Sequence, residues 1–433
     1  MLRGRLARVG GGLGWRGVVA GSALALAAVV AGTAAAPPAK AAPTAVGTAT
    51  GDATAASAAA GKPPVSGKPP VTPEAKPAAC AKAAGPFSVS GTRVLGAGSK
   101  PFVSYGLTVP GLQGPDWASF VSQGLQEITA TADDWCANTV RLQLNQDDLL
   151  GPDGTGFDQA YLAAIKAEVS LAESYHLVVV LNDETNLATP AEQAVQQGPT
   201  PGTETFWQDL TKVYGSDPQV IFDLFNEPRM YSAGMPLAQE WQLWLNGGSF
   251  DGVDYPFGMA QLAAYVRTTL GAHNLFWIEG PRYSSTFAGM VQQQALLNVS
   301  NVVYALHHPV GPADAASWDA DFGYLVRTGV APVVDGEWTN YEPPPTVSPT
   351  APPGSCWPDA PTSVPEFLQY LAANGIGLNA YTLQPGFMIK SDSNLADPTT
   401  MNAATWSCQS NSEPDPGQGA GAEVLAWFQQ QNG

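Results

Sequence analysis

The chain is poor in charge, histidine and cysteine, and each shortage removes a class of function. Of its 433 residues only 13% are charged, and only 19 are basic. Eight of the basic residues lie in the first 79 positions, beside two of the 37 acidic ones. Positions 80–433 therefore carry 35 acidic against 11 basic residues, a net charge of −24. Such a surface repels phosphate backbones, so nucleic acid is excluded as a partner. It suits a neutral or cationic ligand. Four histidines and four cysteines, none at C-x-x-C spacing, leave little from which to build a zinc site. There is no G-x-S-x-G elbow of the esterase kind. No G-x-G-x-x-G follows the first strand-like run, which weighs against a dinucleotide fold. Beyond positions 18–30, no stretch is apolar enough to cross a bilayer.

What is present begins with a three-part N-terminus: Arg3, Arg5, Arg8 and Arg16, an apolar run over 18–30, and an A-x-A-like site at Ala39-Lys40-Ala41. This layout predicts a secretory signal over 1–41, with no stable membrane insertion after cleavage. Residues 42–79 are mostly Ala, Pro, Thr, Gly, Ser and Lys, with no aromatic, Leu or Ile. They cannot bury a core, so a disordered linker is expected, either a spacer from a cell surface or a plain tail. The folded domain is then 80–433, a secreted monomer. Export favours disulfides. Of three possible pairings, the expected one is Cys80–Cys136 with Cys356–Cys408, the second joining two late loops.

A short hairpin over 87–95 precedes a regular alternation. Strand-like runs occur at 102–106, 139–144, 178–181, 220–225, 275–279, 302–307, 332–336 and 377–383. Helical spacing lies between most of them. Asp158 can cap a helix carrying Leu162, Ile165, Val169 and Ala172, and Thr203 one carrying Phe206, Leu210 and Val213. Eight such units predict an α/β fold of the (β/α)8 TIM-barrel type, with long loops at 339–362 and 384–419 on one face.

Two of the runs end on carboxylates: Asn226-Glu227-Pro228 after the fourth, and Asp335-Gly336-Glu337-Trp338 in the seventh. Barrel strands converge at their C-terminal ends, so residues 110 positions apart can share one cavity. A carboxylate pair of which one is protonated and one ionised is what glycoside hydrolysis requires. Arg141 interrupts the second run, and a charge there must be paired, with Glu337 the natural partner. That pairing would lower the Glu337 pKa, unless Arg141 serves a structural ion pair below the site. His307 and His308 close the sixth run and lack an acidic or cysteine partner at metal spacing, which favours hydrogen bonding over zinc. Trp338 and Tyr381 lie at strand ends and are candidate platforms for sugar faces, whereas Trp207 has the helical spacing of a core residue.

These residues together resemble glycoside hydrolase family 5, the cellulase family. IFDLFNEP is similar to its fourth strand, NTVRLQL to its second, NVVYALHH to its sixth and PVVDGEW to its seventh. The resemblance runs from about Phe87 onward. It implies that Glu227 is the acid/base, Glu337 the nucleophile, Arg141 and His307 supports of the site, and Asn226 a ligand of the substrate 2-hydroxyl. It further implies an oligo- or polysaccharide substrate, a retaining mechanism and no cofactor. Three positions depart from the family pattern. Leu181-Asn182-Asp183-Glu184 stands where a histidine is usual, Pro309 where a tyrosine is usual, and Tyr381 where a tryptophan is common. These departures keep a non-catalytic carbohydrate-binding protein and a transglycosylase open as alternatives.

Overall fold

β-branched runs separated by helical stretches longer than ten residues cannot pair as hairpins, so they pair in parallel with a helix over each crossover. The computed structural model describes residues 80–151, 157–184, 197–232, 234–308, 314–342, 355–357, 359–406 and 418–433. The expected signal and linker, Pro309 and Cys408 lie outside them, as do parts of both long loops. The compact unit that contains the described residues spans Glu74–Gly433.

The barrel strands are β1 (Tyr105–Val109), β2 (Thr139–Asn145), β3 (Val178–Glu184), β4 (Val220–Asp223), β5 (Phe276–Glu279), β6 (Val302–Leu306), β7 (Val333–Trp338) and β8 (Gly377–Ala380). Each pairs in parallel with its neighbours in chain order, and β8 closes on β1. The larger surrounding helices are α1 (Val121–Asp133), α2 (Gln159–Ser174), α3 (Pro201–Tyr214), α4 (Leu237–Asn246), α5 (Ala360–Asn374) and α6 (Gly421–Asn432). Asp158 caps α2 as expected, its Oδ1 accepting from the N–H groups of Ala160 and Tyr161 at 2.8 and 2.9 Å. The cap of α3 is Thr200 rather than Thr203. Pro201 supplies the fixed φ of a first helical position, and the Thr203 hydroxyl accepts the Thr200 N–H at 3.0 Å.

The first barrel strand also starts later than expected. Pro101–Phe102 instead pairs with Arg93–Leu95, extending the Ser88–Ser90 hairpin to a three-stranded sheet. Phe87 and Phe102 pack at 4.7 Å and plug the barrel with Val178, Val180, Ile221 and Trp277. Apolar side chains thus fill one end of the interior, and polar ones occupy the other. The bridge Cys80–Cys136 ties the entry segment to the loop after α1. The second expected bridge involves Cys408 and falls outside the described residues.

Candidate active site

The period of two along β2 sends Leu142 and Leu144 to the core under the helices, and Arg141 and Gln143 to the barrel interior. The Arg141 guanidinium is fully buried and makes four bonds. Nε donates to Asp223 at 2.9 Å, Nη1 to Glu337 at 2.6 Å, and Nη2 to Asn226 at 2.7 Å and Glu279 at 3.0 Å. Burial opposes its charge, but Asp223, Glu337 and Glu279 outweigh it and raise its pKa further. Arg141 is thus the hub that draws β2, β4, β5 and β7 to one point.

Glu337 reaches this hub because β7 is irregular. Val334 faces the barrel interior, and regular alternation would turn residue 337 outward. The register shifts between Asp335 and Trp338, and the carboxylate swings onto Arg141. Arg141 lowers its pKa as expected, but the net shift is upward. Burial is the largest influence, His307 and Arg141 oppose it, and Glu227 and Glu279 reinforce it.

Glu227 follows β4 in a left-handed conformation, φ 50°, which costs on the order of 1–3 kcal/mol for a non-glycine residue. Its N–H donates to Glu279 Oε2 at 2.6 Å. His307 Nδ1 lies 3.1 Å from Glu227 Oε1, and His307 Nε2 lies 3.2 Å from Glu279 Oε1. Burial disfavours a charged ring, but Glu279, Glu337 and Glu227 hold the His307 pKa well above the ordinary histidine value. Burial likewise disfavours a charged Glu279. His307, Arg141 and the Glu227 N–H overcome it and bring the pKa down to about 2. Among the described residues, Glu227, His307 and Glu337 form the one group able to offer metal ligands, with three atoms within 4.8 Å of one another. An imidazolium between carboxylates has no free lone pair, so the electrostatics favour a proton there over a cation.

The other predicted residues divide. Asn226 sits on Arg141 as described. Tyr381 follows β8, half-buried, and its N–H donates to the Trp338 carbonyl at 2.8 Å. Burial, then Glu337, pushes its phenol pKa up. Trp338 is not a platform: it is 1% exposed, stacked on Phe367 at 5.8 Å, with both faces committed to the core. Trp207 is core as expected, donating to the Leu224 carbonyl at 2.8 Å. His308 is also core, stacked on Phe367 at 5.0 Å, and burial lowers its pKa to about 3.

Three residues not singled out from the sequence, Glu279, Asp223 and Gln143, complete the site with Glu184, which was noted only as part of a departure from the family pattern. Glu279 and Glu184 close β5 and β3 as Glu337 nearly closes β7, and the same strand-end signal would have found them. Asp223 and Gln143 lie one strand alternation from Ile221 and Arg141. Gln143 Nε2 donates to Glu337 Oε2 at 2.8 Å and to Glu184 Oε2 at 3.4 Å. Burial, then repulsion from Glu227 and Glu337, raises the Glu184 pKa to about 8, against opposing Arg141 and Arg229.

The model of the cellulase family (glycosyl hydrolase family 5) matches residues 96–385. Among solved structures, a beta-glucanase from Saccharophagus degradans is 18% identical, with 81% of this chain and 94% of that chain covered, at a TM-score of 0.54. An endocellulase from Pyrococcus horikoshii is 14% identical, with 70% and 92% covered, at 0.51. An endoglucanase catalytic domain from Thermobifida fusca, crystallised with cellotetraose, is 16% identical, with 80% and 97% covered, at 0.50. At such identities the likeness is one of fold. No curated protein matches the chain.

Proposed function

This chain belongs to glycosyl hydrolase family 5, the cellulase family, and from that membership we propose a secreted, retaining hydrolase of a β-1,4-linked polysaccharide. Its substrate is a β-glucan before a β-mannan, because structural neighbours of the barrel hold cellotetraose. Export rests on the N-terminal layout, and residues 80–433 are the catalytic domain.

One observation carries the mechanism: an oxygen of Glu227 lies within 4.8 Å of an oxygen of Glu337. Retaining enzymes place their carboxyls about 5 Å apart, and inverting ones roughly 6.5–9.5 Å apart to admit a water. Glu337 attacks the anomeric carbon and forms an ester bond. As the glycosidic bond breaks, the Glu227 proton passes to the leaving oxygen. Glu227 then takes a proton from water, whose oxygen replaces the ester and frees Glu337. Arg141 and Gln143 fix the attacking carboxylate, and His307 fixes the Glu227 carboxyl. Asn226 stands between Arg141 and Glu227, where it can meet the hydroxyl next to the anomeric centre. Tyr381 lines the same space.

The test is a panel of β-glucans, mannans and xylan, with the purified protein beside its Glu337→Gln variant. Reducing sugar is expected from one polymer, and the variant should lose at least about a thousandfold of that activity. Undiminished cleavage by the variant would remove Glu337 from the mechanism.

A further inference from the structure

The third strand brings into the cleft a carboxyl to which the two-glutamate mechanism gives no task. On β3, Val178 and Val180 face the barrel interior, so alternation carries Asn182 and Glu184 to the same side. Glu184 stands in register with Asn145 of β2, and Asn182 with Gln143. Gln143 Nε2 donates to Glu337 Oε2 at 2.8 Å and to Glu184 Oε2 at 3.4 Å. One amide nitrogen therefore separates Glu184 from the carboxylate that takes the glycosyl unit. Glu184 belongs to the glycone side of the cleft.

This carboxyl has no counter-charge beside it. Arg141 spends its donors on Asp223, Asn226, Glu279 and Glu337. The His307 ring lies between Glu227 and Glu279. The Arg229 guanidinium turns to the ring of Tyr283, 5.4 Å from its centroid. Among the described residues no ion pair reaches Glu184, and Gln143 is its one hydrogen-bond partner. The unmet groups around it are acceptors too. Gln143 Oε1 and Asn182 Oδ1, on buried side chains, have no hydrogen-bond partner among the described residues. A carboxyl in such a place keeps its proton or finds a cation. Burial, then Glu227 and Glu337, keep the proton on, with a pKa of about 8.

An amine supplies what is missing. Its free base takes the Glu184 proton, and the resulting ammonium and carboxylate pair with no net gain or loss of protons. An ammonium offers donors and no acceptor, which matches a group of unmet acceptors better than a hydroxyl does. The whole domain favours the same ligand. Positions 80–433 carry 35 acidic against 11 basic residues, and that field draws a polycation toward the cleft. We propose that the cleft takes a β-1,4-linked polymer of 2-amino-2-deoxy sugars as a second substrate, with Glu184 pairing the amine of a glycone-side pyranose. The inference rests on the role given above to Glu337, which defines the glycone side.

The experiment compares cellohexaose with the β-1,4-linked hexamer of glucosamine. Wild type, Glu184→Gln and Glu337→Gln are assayed, with thermal melts for each. Wild type is expected to release reducing sugar from both hexamers. Glu184→Gln keeps the size and a hydrogen-bonding group but removes the charge. Its kcat/KM on the glucosamine hexamer, relative to that on cellohexaose, should fall at least about thirtyfold. Added salt should slow the glucosamine hexamer more than cellohexaose. Calorimetry in the Glu337→Gln background reads binding without turnover, and adding Glu184→Gln there should weaken the glucosamine hexamer selectively. No cleavage or binding of the glucosamine hexamer by the wild type would overturn the proposal. So would a substrate ratio unmoved by Glu184→Gln, which would make Glu184 a neutral donor to hydroxyls. Cellohexaose cleavage retained in Glu337→Gln would instead overturn the two-glutamate reading, so the two failures are distinguishable.

Discussion

At the scale of single residues, the site is governed by Arg141. Taking a guanidinium out of water costs several kcal/mol, and three carboxylates and an amide repay it. Removing the cation would leave Asp223, Glu279 and Glu337 facing one another in a low-dielectric interior. Arg141→Met is therefore expected to destabilise the protein by about 3–5 kcal/mol, read as a lower midpoint of chemical unfolding. A change within about 0.5 kcal/mol, the range of an ordinary surface substitution, would deny Arg141 this role. Glu337, Glu227 and Arg141 were legible because each breaks an apolar strand pattern. Glu279 and Asp223 break it in the same way, but their partners come from other strands and only the barrel brings them together. Trp338 misled because a strand end does not disclose its face. The register shift that sends Glu337 into the site leaves Trp338 against Phe367.

At the scale of elements, α1 and α2 meet over two buried glutamates. Gly124 of α1 lies against Glu168 of α2, where an added Cβ would strike its carboxyl. Burial, opposed by a bond from Gln123 and aided by Asp392, raises the Glu127 pKa to about 7. Burial and then Glu127 raise that of Glu168 to about 8. The ordinary value is 4.5 for each. A raised folded-state pKa means that the folded protein holds protons the unfolded chain has released. The associated stability is complete below pH 4.5 and is lost as pH rises through 7 and 8. Thermal midpoints should accordingly fall across that window, and Glu168→Gln should flatten the decline. A midpoint that rises from pH 5 to 8 in the wild type would contradict the pairing. The helical period of α2 was plain from Leu162, Ile165, Val169 and Ala172, yet Glu168 reads as a surface residue until its neighbour α1 is placed. The boundaries of β1 and α3 shifted for a similar reason: Pro101–Phe102 found a partner outside the barrel, and Pro201 opened a helix one turn early.

At the scale of the whole molecule, the alternation of eight runs with helices sufficed to predict the closed barrel, because parallel neighbours in chain order leave few other solutions. The glycan is less legible. It depends on loop residues, whose exposure follows from tertiary contacts and not from any local pattern. The acidic balance of positions 80–433 complements a neutral or cationic polymer and opposes an anionic one. The central claim, that Glu337 forms a covalent glycosyl-enzyme, is tested most directly by intact-protein and peptide mass spectrometry after incubation with a 2-deoxy-2-fluoro-cellobiosyl fluoride. A single added glycosyl unit on the peptide carrying Glu337 is predicted, absent from the Glu337→Gln variant. Turnover of β-glucan by the wild type with no adduct, or with the adduct on another residue, would contradict it.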